Sequence, residues 1–321
     1  MLASEPIRPF FSVIVPVYNR AALVGRALRS CLSQSFADFE IVVVDDGSSD
    51  SSVDVIRSFD DPRIRLVVHE RNRGRCPARN TAMAAARGDW YVFFDSDDEL
   101  LEGALQTMHD EAMSASPEVL MLRFSCVDDH GMVSPDPPYA RETLSYERFM
   151  GSLEGALRFE ALPCSRTSTF PAIAFPEGHA EEGLYHFDLA RTGKLATSPA
   201  VVRVYHHDAP NQVTRPDYRR ALRFAPDAAS NVDAVLARHG EALRQHAPAL
   251  YRNRLREGAL QNFLAGHRRK ALRYVRDAAR LDGVSVKLAL ITILGLAGRV
   301  PLAMSQSLQG ILRRTKSRAK R

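Results

Sequence analysis

The sequence predicts an α/β protein built on a parallel, doubly wound sheet. Strand-like and helix-like segments alternate four times in about the first 95 residues, the pattern of successive βαβ units. The strand segments are near-continuous apolar runs, as expected where both faces of a strand are covered. Three of the four end in polar, mostly acidic clusters, and parallel strands deliver such ends to one edge of the sheet, where ligands bind.

Phe11-Ser-Val-Ile-Val-Pro-Val-Tyr18 reads as the first strand. Asn19 is placed to cap a helix in which Ala21, Leu23, Val24, Ala27, Leu28, Cys31 and Leu32 recur at helical spacing through to Gln34. Phe39 to Val44 is the second strand, ending in Asp45-Asp46-Gly47-Ser48, and Ser49 or Asp50 can cap a helix that runs to Phe59. Ile64 to Val68 is a third strand. The Ala-rich segment from Pro77 to Arg87 is a helix with Pro near its first turn, stopped by Gly88. Tyr91 to Phe94 is the fourth strand. A fifth is expected over Val119 to Phe124, with further strands at Phe170 to Phe175 and Val201 to Tyr205. Between those two, Glu181 to Arg191 reads as one helix opening with two acids, which suit the helix dipole. After Asp217 the chain is mostly helical and basic, with an amphipathic stretch over Arg252 to Arg280.

Composition excludes several classes. Apolar residues make up 45% and charged residues 25% of 321, ordinary values for a globular protein. The net charge is +5, but Arg313 to Arg321 carry six Lys/Arg and no acid, so the rest sums to about −1 and no global nucleic-acid-binding surface is implied. Cys31, Cys76, Cys126 and Cys164 are widely spaced; they outline neither a disulfide framework nor a zinc site and fit a reducing cytosol. The apolar start, Phe10 to Val17, contains Pro16, lacks a small-residue cleavage site and reads as a strand rather than a signal peptide. No run reaches the ~20 apolar residues of a spanning helix.

The chemistry concentrates at Trp90-Tyr-Val-Phe-Phe-Asp95-Ser96-Asp97-Asp98. Clustered carboxylates repel one another unless a cation sits among them, and hard oxygen ligands suit Mg²⁺ or Mn²⁺. The competing reading is a solvated acidic loop that caps a helix starting near Leu100. Tyr18-Asn19 and Asp45-Asp46 should converge on the same edge, which favours a site.

Several segments in register resemble the family 2 inverting glycosyltransferases. They are Val13-Ile-Val-Pro16-Val-Tyr18-Asn19, Ile41-Val-Val-Val-Asp45-Asp46-Gly-Ser48, Asn72-x-Gly74 with Ala78-Arg79-Asn80, and Phe94-Asp95-Ser96-Asp97-Asp98. More loosely, Phe175-Pro-Glu followed by Glu181-Glu182-x-Leu-Tyr resembles the family's Phe-Pro-Glu … Glu-Asp segment. Tyr205-His206-His207 … Asn211-Gln-Val-Thr214 looks like its closing element. The resemblance implies the GT-A fold, a Rossmann-like, mostly parallel central sheet flanked by helices, followed here by a helical C-terminal extension. It divides the chain into a nucleotide-sugar half over 1–125, an acceptor half over 126–220 and a basic helical extension over 221–321.

What the resemblance implies for the site can be set out residue by residue. Pro16, Tyr18 and Asn19 would cradle the base of a UDP-sugar donor, and Asp46 or Asp45 would accept from its N–H. Arg79 would face the phosphates, Asp95 and Ser96 the ribose and metal. Asp97, with Asp95 and His207, would hold a divalent metal, Mn²⁺ or Mg²⁺; His206 is an alternative to His207. Glu182 would be the general base and Glu181 its support. The family usually has Asp at the position of Glu182, and the extra methylene moves the carboxylate oxygens by about an ångström or more, which matters for positioning. The Gln-x-x-Arg-Trp element of processive synthases is absent, since Trp90 is the only tryptophan, which favours transfer of a single sugar. The acceptor would be a glycan or a lipid-linked saccharide, and the setting cytoplasmic. The apolar Leu288–Ala297 segment and the basic tail have two readings: a peripheral membrane contact through 288–321 at the inner face of the membrane, or a core-packing helix and a solvated tail.

Two other classes stay open. A binding module would recognise the donor without turnover. A nucleotidyltransferase would open with a Gly-rich basic loop, where this chain has Tyr18-Asn19-Arg20-Ala21-Ala22. The absence of Gly-x-Gly-x-x-Gly after the first strand argues against a dinucleotide oxidoreductase.

Overall fold

The structure is a computed structural model that describes residues 8–154, 160–179, 181–208 and 217–305. These form two compact units. The first takes 8–149, 160–178 and 185–208, and the second takes 150–154, 179, 181–184 and 217–305.

The first unit opens with β1 (Phe11–Val17), α1 (Val24–Leu32), β2 (Phe39–Asp45), α2 (Ser52–Arg57), β3 (Ile64–Val68), α3 (Arg75–Ala85) and β4 (Trp90–Phe93). There follow β5 (Glu99–Leu100), α4 (Ala104–Ser114), β6 (Val119–Asp128), β7 (Val133–Ser134), β8 (Glu142–Leu144), α5 (Tyr146–Ser152), β9 (Leu162–Arg166), α6 (Gly183–Thr192) and β10 (Lys194–Tyr205). Among the described residues these strands make one sheet in the order β3-β2-β1-β4-β9-β6-β10-β5, with β7 beside β6 and β8 beside β10. The pairs β3–β2, β2–β1, β1–β4 and β6–β10 are parallel; β9 runs antiparallel to both β4 and β6. The sheet is thus mostly parallel and α/β, as expected. β6 crosses residue 125, so the segments on either side of that position share one sheet.

Burial explains why the first strands were readable. Every residue of β2 is buried, and β1 is buried at six of seven positions. Val24, Ala27, Leu28 and Cys31 of α1 join Val13, Val15, Ile41, Val43, Val92 and Phe94 in one core. Because β1, β2 and β4 are parallel neighbours, with Val17 opposite Asp45, their C-terminal ends lie side by side. The second unit holds α7 (Tyr218–His246), α8 (Pro248–Ala265), α9 (Arg268–Asp282) and α10 (Val286–Ala297). Its core gathers Ala225, Ala259, Phe263, Leu264, Ala271 and Ile291. The Asp217 side chain caps α7 by accepting from the Arg219 N–H. Gly295 lies against the Phe263 ring, where a Cβ would come within 2.5 Å of it.

Several elements differ from expectation. Asn19 does not cap the first helix: α1 starts at Val24, after a turn, and Asn19 takes a left-handed φ of 52°. No strand forms over Phe170 to Phe175. Pro171 has no N–H for a ladder, and the strand precedes it as β9. The chain then passes to Phe175, whose N–H and C=O are both held by the Asn80 amide at 2.9 Å. No helix starts near Leu100, because β5 pairs there with β10; α4 begins at Ala104 behind Gly103. Glu181 and Glu182 precede α6 rather than opening it. The Arg252–Arg280 stretch spans two helices, broken at Gly266 by a left-handed φ of 89°.

Glu40 ties this first unit together. Its buried carboxylate accepts from Ser12 Oγ of β1 at 2.8 Å, from Arg65 of β3 at 3.0 Å, and from the backbone N–H and guanidinium of Arg87 beyond α3. Burial alone would raise its pKa, but these donors hold it below the usual carboxylate range. Glu40→Gln is expected to cost roughly 2–3 kcal/mol at neutral pH, read by urea unfolding. A depressed folded pKa supplies stability above the unfolded value of about 4.3 and loses it as pH falls through the folded value, so the gap between wild type and variant should close on acidification.

Candidate active site

At the end of β1, Tyr18 is 43% exposed. The loops that follow β1 and β2 are stitched together: Asn19 N donates to Ser48 Oγ at 2.8 Å, Asn19 Oδ1 accepts from Ser49 N at 2.8 Å, and Arg20 N donates to Ser52 Oγ at 2.8 Å. Asp46 is fully engaged. It accepts from Arg73 N at 3.0 Å and Gly74 N at 2.7 Å, and His69 Nδ1 lies 2.8 Å from its Oδ1. Gly47, with φ of +71°, passes so close to Arg71 that a Cβ would stand 2.6 Å from backbone. Asp45 is different. Its Oδ2 accepts from Ser48 N at 2.9 Å, while its buried Oδ1 has no partner among the described residues. Of the two acids, Asp45 is therefore the one with acceptor capacity left over, and Asp46 is an anchor for the 69–74 loop. Pro16 lies within β1 opposite Val44.

The acidic end of β4 is held by arginines. Arg203, buried in β10, places Nη1 3.0 Å from Asp98 Oδ2 and 3.6 Å from Asp95 Oδ2; its Nη2 donates to Glu160 at 3.0 Å and its Nε to Cys126 Sγ at 3.3 Å. Asp98 Oδ1 accepts from His206 N at 3.1 Å. Arg79, also buried, donates to Asp95 Oδ1 at 2.9 Å and lies over the Phe93 and Phe175 rings. Arg20 Nε is 3.6 Å from Asp97 Oδ2. Arg26 donates to the Asp97 carbonyl and to Asp208.

These acids are poised to take a cation. Burial raises the Asp97 pKa, and Asp95 raises it further against the pull of Arg20. Burial pushes Asp98 up to about 8, with Arg203 pulling it back and Asp95 and Asp97 adding to the rise. Hard oxygens whose charged forms are disfavoured by burial and by one another fit a divalent ion, which would relieve both costs. Asp97 and Asp95 are the residues that would hold it. Ser96, between them, is buried.

His207 is placed elsewhere. Tyr205 of β10 pairs with Asp128 of β6, so the chain leaving β10 runs beside the end of β6. His207 Nε2 lies 3.7 Å from Asp128 Oδ2, and its N–H donates to Asp129 at 3.3 Å. Among the described residues, the His/acid group with ligand atoms within 4.8 Å of one another is Asp128–Asp129–His207, not Asp95–Asp97–His207. His206 Nε2 is 2.8 Å from Glu99. Glu181, in the second unit, accepts from Arg254 at 3.0 Å, and Arg254 also pairs with Glu257. Glu182 stands directly ahead of α6. Asn211 to Thr214 and the basic tail from Arg313 lie outside the described residues.

Residues 12–142 match the family described as Glycosyl transferase family 2. The chain carries a family 2 glycosyl transferase domain. Over 128 residues this family 2 domain is 38% identical to the succinoglycan biosynthesis protein ExoO of Rhizobium meliloti, covering 40% of this chain and 35% of ExoO. It is 40% identical over 107 residues to the GalNAc(5)-diNAcBac-PP-undecaprenol beta-1,3-glucosyltransferase of Campylobacter jejuni, covering 32% and 35%. It is 32% identical over 142 residues to the putative teichuronic acid biosynthesis glycosyltransferase TuaG of Bacillus subtilis, covering 44% and 56%. The chain thus spans from about a third to just over half the length of these relatives.

Solved structures extend the likeness of fold beyond the family 2 domain. S. aureus TarS 1-349 in complex with UDP-GlcNAc superposes with a TM-score of 0.56 at 20% identity, over 92% of this chain and 90% of that one. The mannosyltransferase PcManGT from Pyrobaculum calidifontis, in complex with GDP-Man and Mn²⁺, gives 0.50 at 20% identity over 95% and 91%. The fold is GT-A.

Arg203, Glu160, Arg20 and Arg26 escaped the reading of the sequence. Arg203 had a local signal, a single charge in the apolar run Val201-Val-Arg-Val-Tyr. Arg203→Met would strand Asp98 and Glu160 and is expected to cost roughly 3–5 kcal/mol. Adding Asp98→Asn should recover part of that loss. Urea unfolding of the two single variants and the double variant checks this, and strictly additive losses would contradict the pairing.

Proposed function

We propose that the chain is a glycosyltransferase that moves one sugar from a UDP-sugar to a glycan or lipid-linked acceptor, with metal assistance and inversion at the anomeric carbon. The observation that carries this reading is the arrangement, at the neighbouring ends of β2, β1 and β4, of an Asp45 oxygen with no partner among the described residues, the exposed Tyr18 ring and the Asp95–Asp97 carboxylates. An acceptor of N–H, a flat ring and hard oxygens are what a nucleoside diphosphate needs along its length. TarS, whose structures hold UDP and UDP-GlcNAc, and relatives named for undecaprenol-linked acceptors support the donor and acceptor classes.

In this mechanism Tyr18 packs on the base and Asp45 takes its N–H. Arg79 fixes Asp95 through its Nη2 and brings its positive charge toward the donor's phosphates. Asp97 and Asp95 would hold a divalent ion, which when bound would supply positive charge against the departing pyrophosphate. The acceptor hydroxyl attacks the anomeric carbon as its bond to the β-phosphate oxygen breaks. That electron pair leaves with UDP, and the hydroxyl proton passes to Glu182. Glu181, paired with Arg254, is left to support its neighbour.

Turnover of a UDP-sugar panel, with and without undecaprenyl-diphosphate saccharides, tests the proposal. Glu182→Gln should lower the rate by about 10²–10⁴-fold and leave UDP affinity unchanged. Full activity in that variant would remove Glu182 from the role of base. UDP binding by a wild type that turns over no donor would instead favour the binding-module reading.

A further inference from the structure

The second unit presents an apolar surface that its own core does not use. Leu288, Ile291 and Gly295 of α10 face inward and are buried. Val286, Leu290, Ile293 and Leu296, and beyond Gly298 also Val300 and Met304, are all exposed, Val286 by 78% and Ile293 by 63%. Positions 286, 290 and 293 fall at i, i+4 and i+7, one continuous stripe along the helix. Exposed apolar side chains collected in this way mark an interaction surface rather than ordinary scatter.

The charges around the stripe select its partner. Lys287 and Arg299 are the exposed charged residues on this stretch, both basic. From Gly283 to Arg321 the sequence holds eight Lys/Arg and no Asp or Glu. A second copy docked face to face through α10 would bring like charges together, because a two-fold contact presents the same patch twice. An anionic lipid surface accepts the apolar stripe in its interface and the basic residues at its headgroups. No helix among the described residues is long and apolar enough to cross a membrane, and the twelve residues of α10 span only about 18 Å.

We propose that α10 lies in the surface of an anionic phospholipid bilayer, with Leu290 and Ile293 inserted and the flanking basic residues on the headgroups. This stands apart from the donor site and does not depend on it. The test is co-sedimentation of the full chain with phosphatidylcholine vesicles with and without about 30% phosphatidylglycerol, in ~0.15 M salt. Wild type should bind the anionic vesicles about tenfold or more tightly than the neutral ones, and binding should weaken as salt rises. The double variant Leu290→Asp/Ile293→Asp should lose that binding while its circular dichroism shows the fold intact, since neither side chain belongs to the buried core. Equal sedimentation of the double variant, or no sedimentation of the wild type, would overturn the proposal. Wild-type self-association in sedimentation velocity that the double variant abolishes, without vesicle binding, would assign the face to a second copy and overturn it as well.

Discussion

Delivering three carboxylates within four residues to one end of a buried strand requires a compensating charge, and the guanidinium of Arg203 supplies it. It reaches Asp98, Asp95 and Glu160 at once from a strand more than a hundred residues downstream. Buried carboxylates left without a partner would take up protons or unfold the strand end. Four arginines, at positions 20, 26, 79 and 203, meet this acidic end from three sides. Their distribution is uneven. Arg203 neutralises Asp98 most closely, while the nearest of the four to the Asp97 carboxylate stands off at 3.6 Å. The outcome is an acidic end with one carboxylate less fully compensated, and that is the residue we propose would hold an added cation.

The same division of labour appears at the end of β2. Asp45 and Asp46 are adjacent and chemically identical, yet Asp46 spends its oxygens on the backbone of the 69–74 loop while Asp45 keeps one unshared. Gly47 makes this possible, because only a residue without a Cβ passes the Arg71 backbone at that distance. The two acids are thereby divided between a loop anchor, Asp46, and the side chain proposed for recognition, Asp45.

Much of the fold was legible because its first four strands are parallel and β1, β2 and β4 among them are buried. Such strands read as uninterrupted apolar runs, and β1 to β4 fall within a residue of the runs that announced them. Convergence of the acidic ends followed from parallel direction alone. What escaped depends on contacts distant in sequence. β9, Leu-Pro-Cys-Ser-Arg, carries no continuous apolar run although it pairs with β4 and β6 on either side. Nothing local to Asp45 and Asp46 tells which faces the loop. His207 was drawn toward Asp97 by family resemblance, whereas the β10–β6 register carries it to Asp128 and Asp129.

We propose that Asp97 belongs to a metal-dependent nucleotide site built from strand ends. Calorimetric titration of UDP with Mn²⁺ present and absent, on wild type and Asp97→Ala, tests it most directly. Binding that requires the metal in wild type and largely disappears in the variant, with the fold intact by circular dichroism, is the predicted result. UDP affinity that is indifferent to both the metal and the substitution would contradict it.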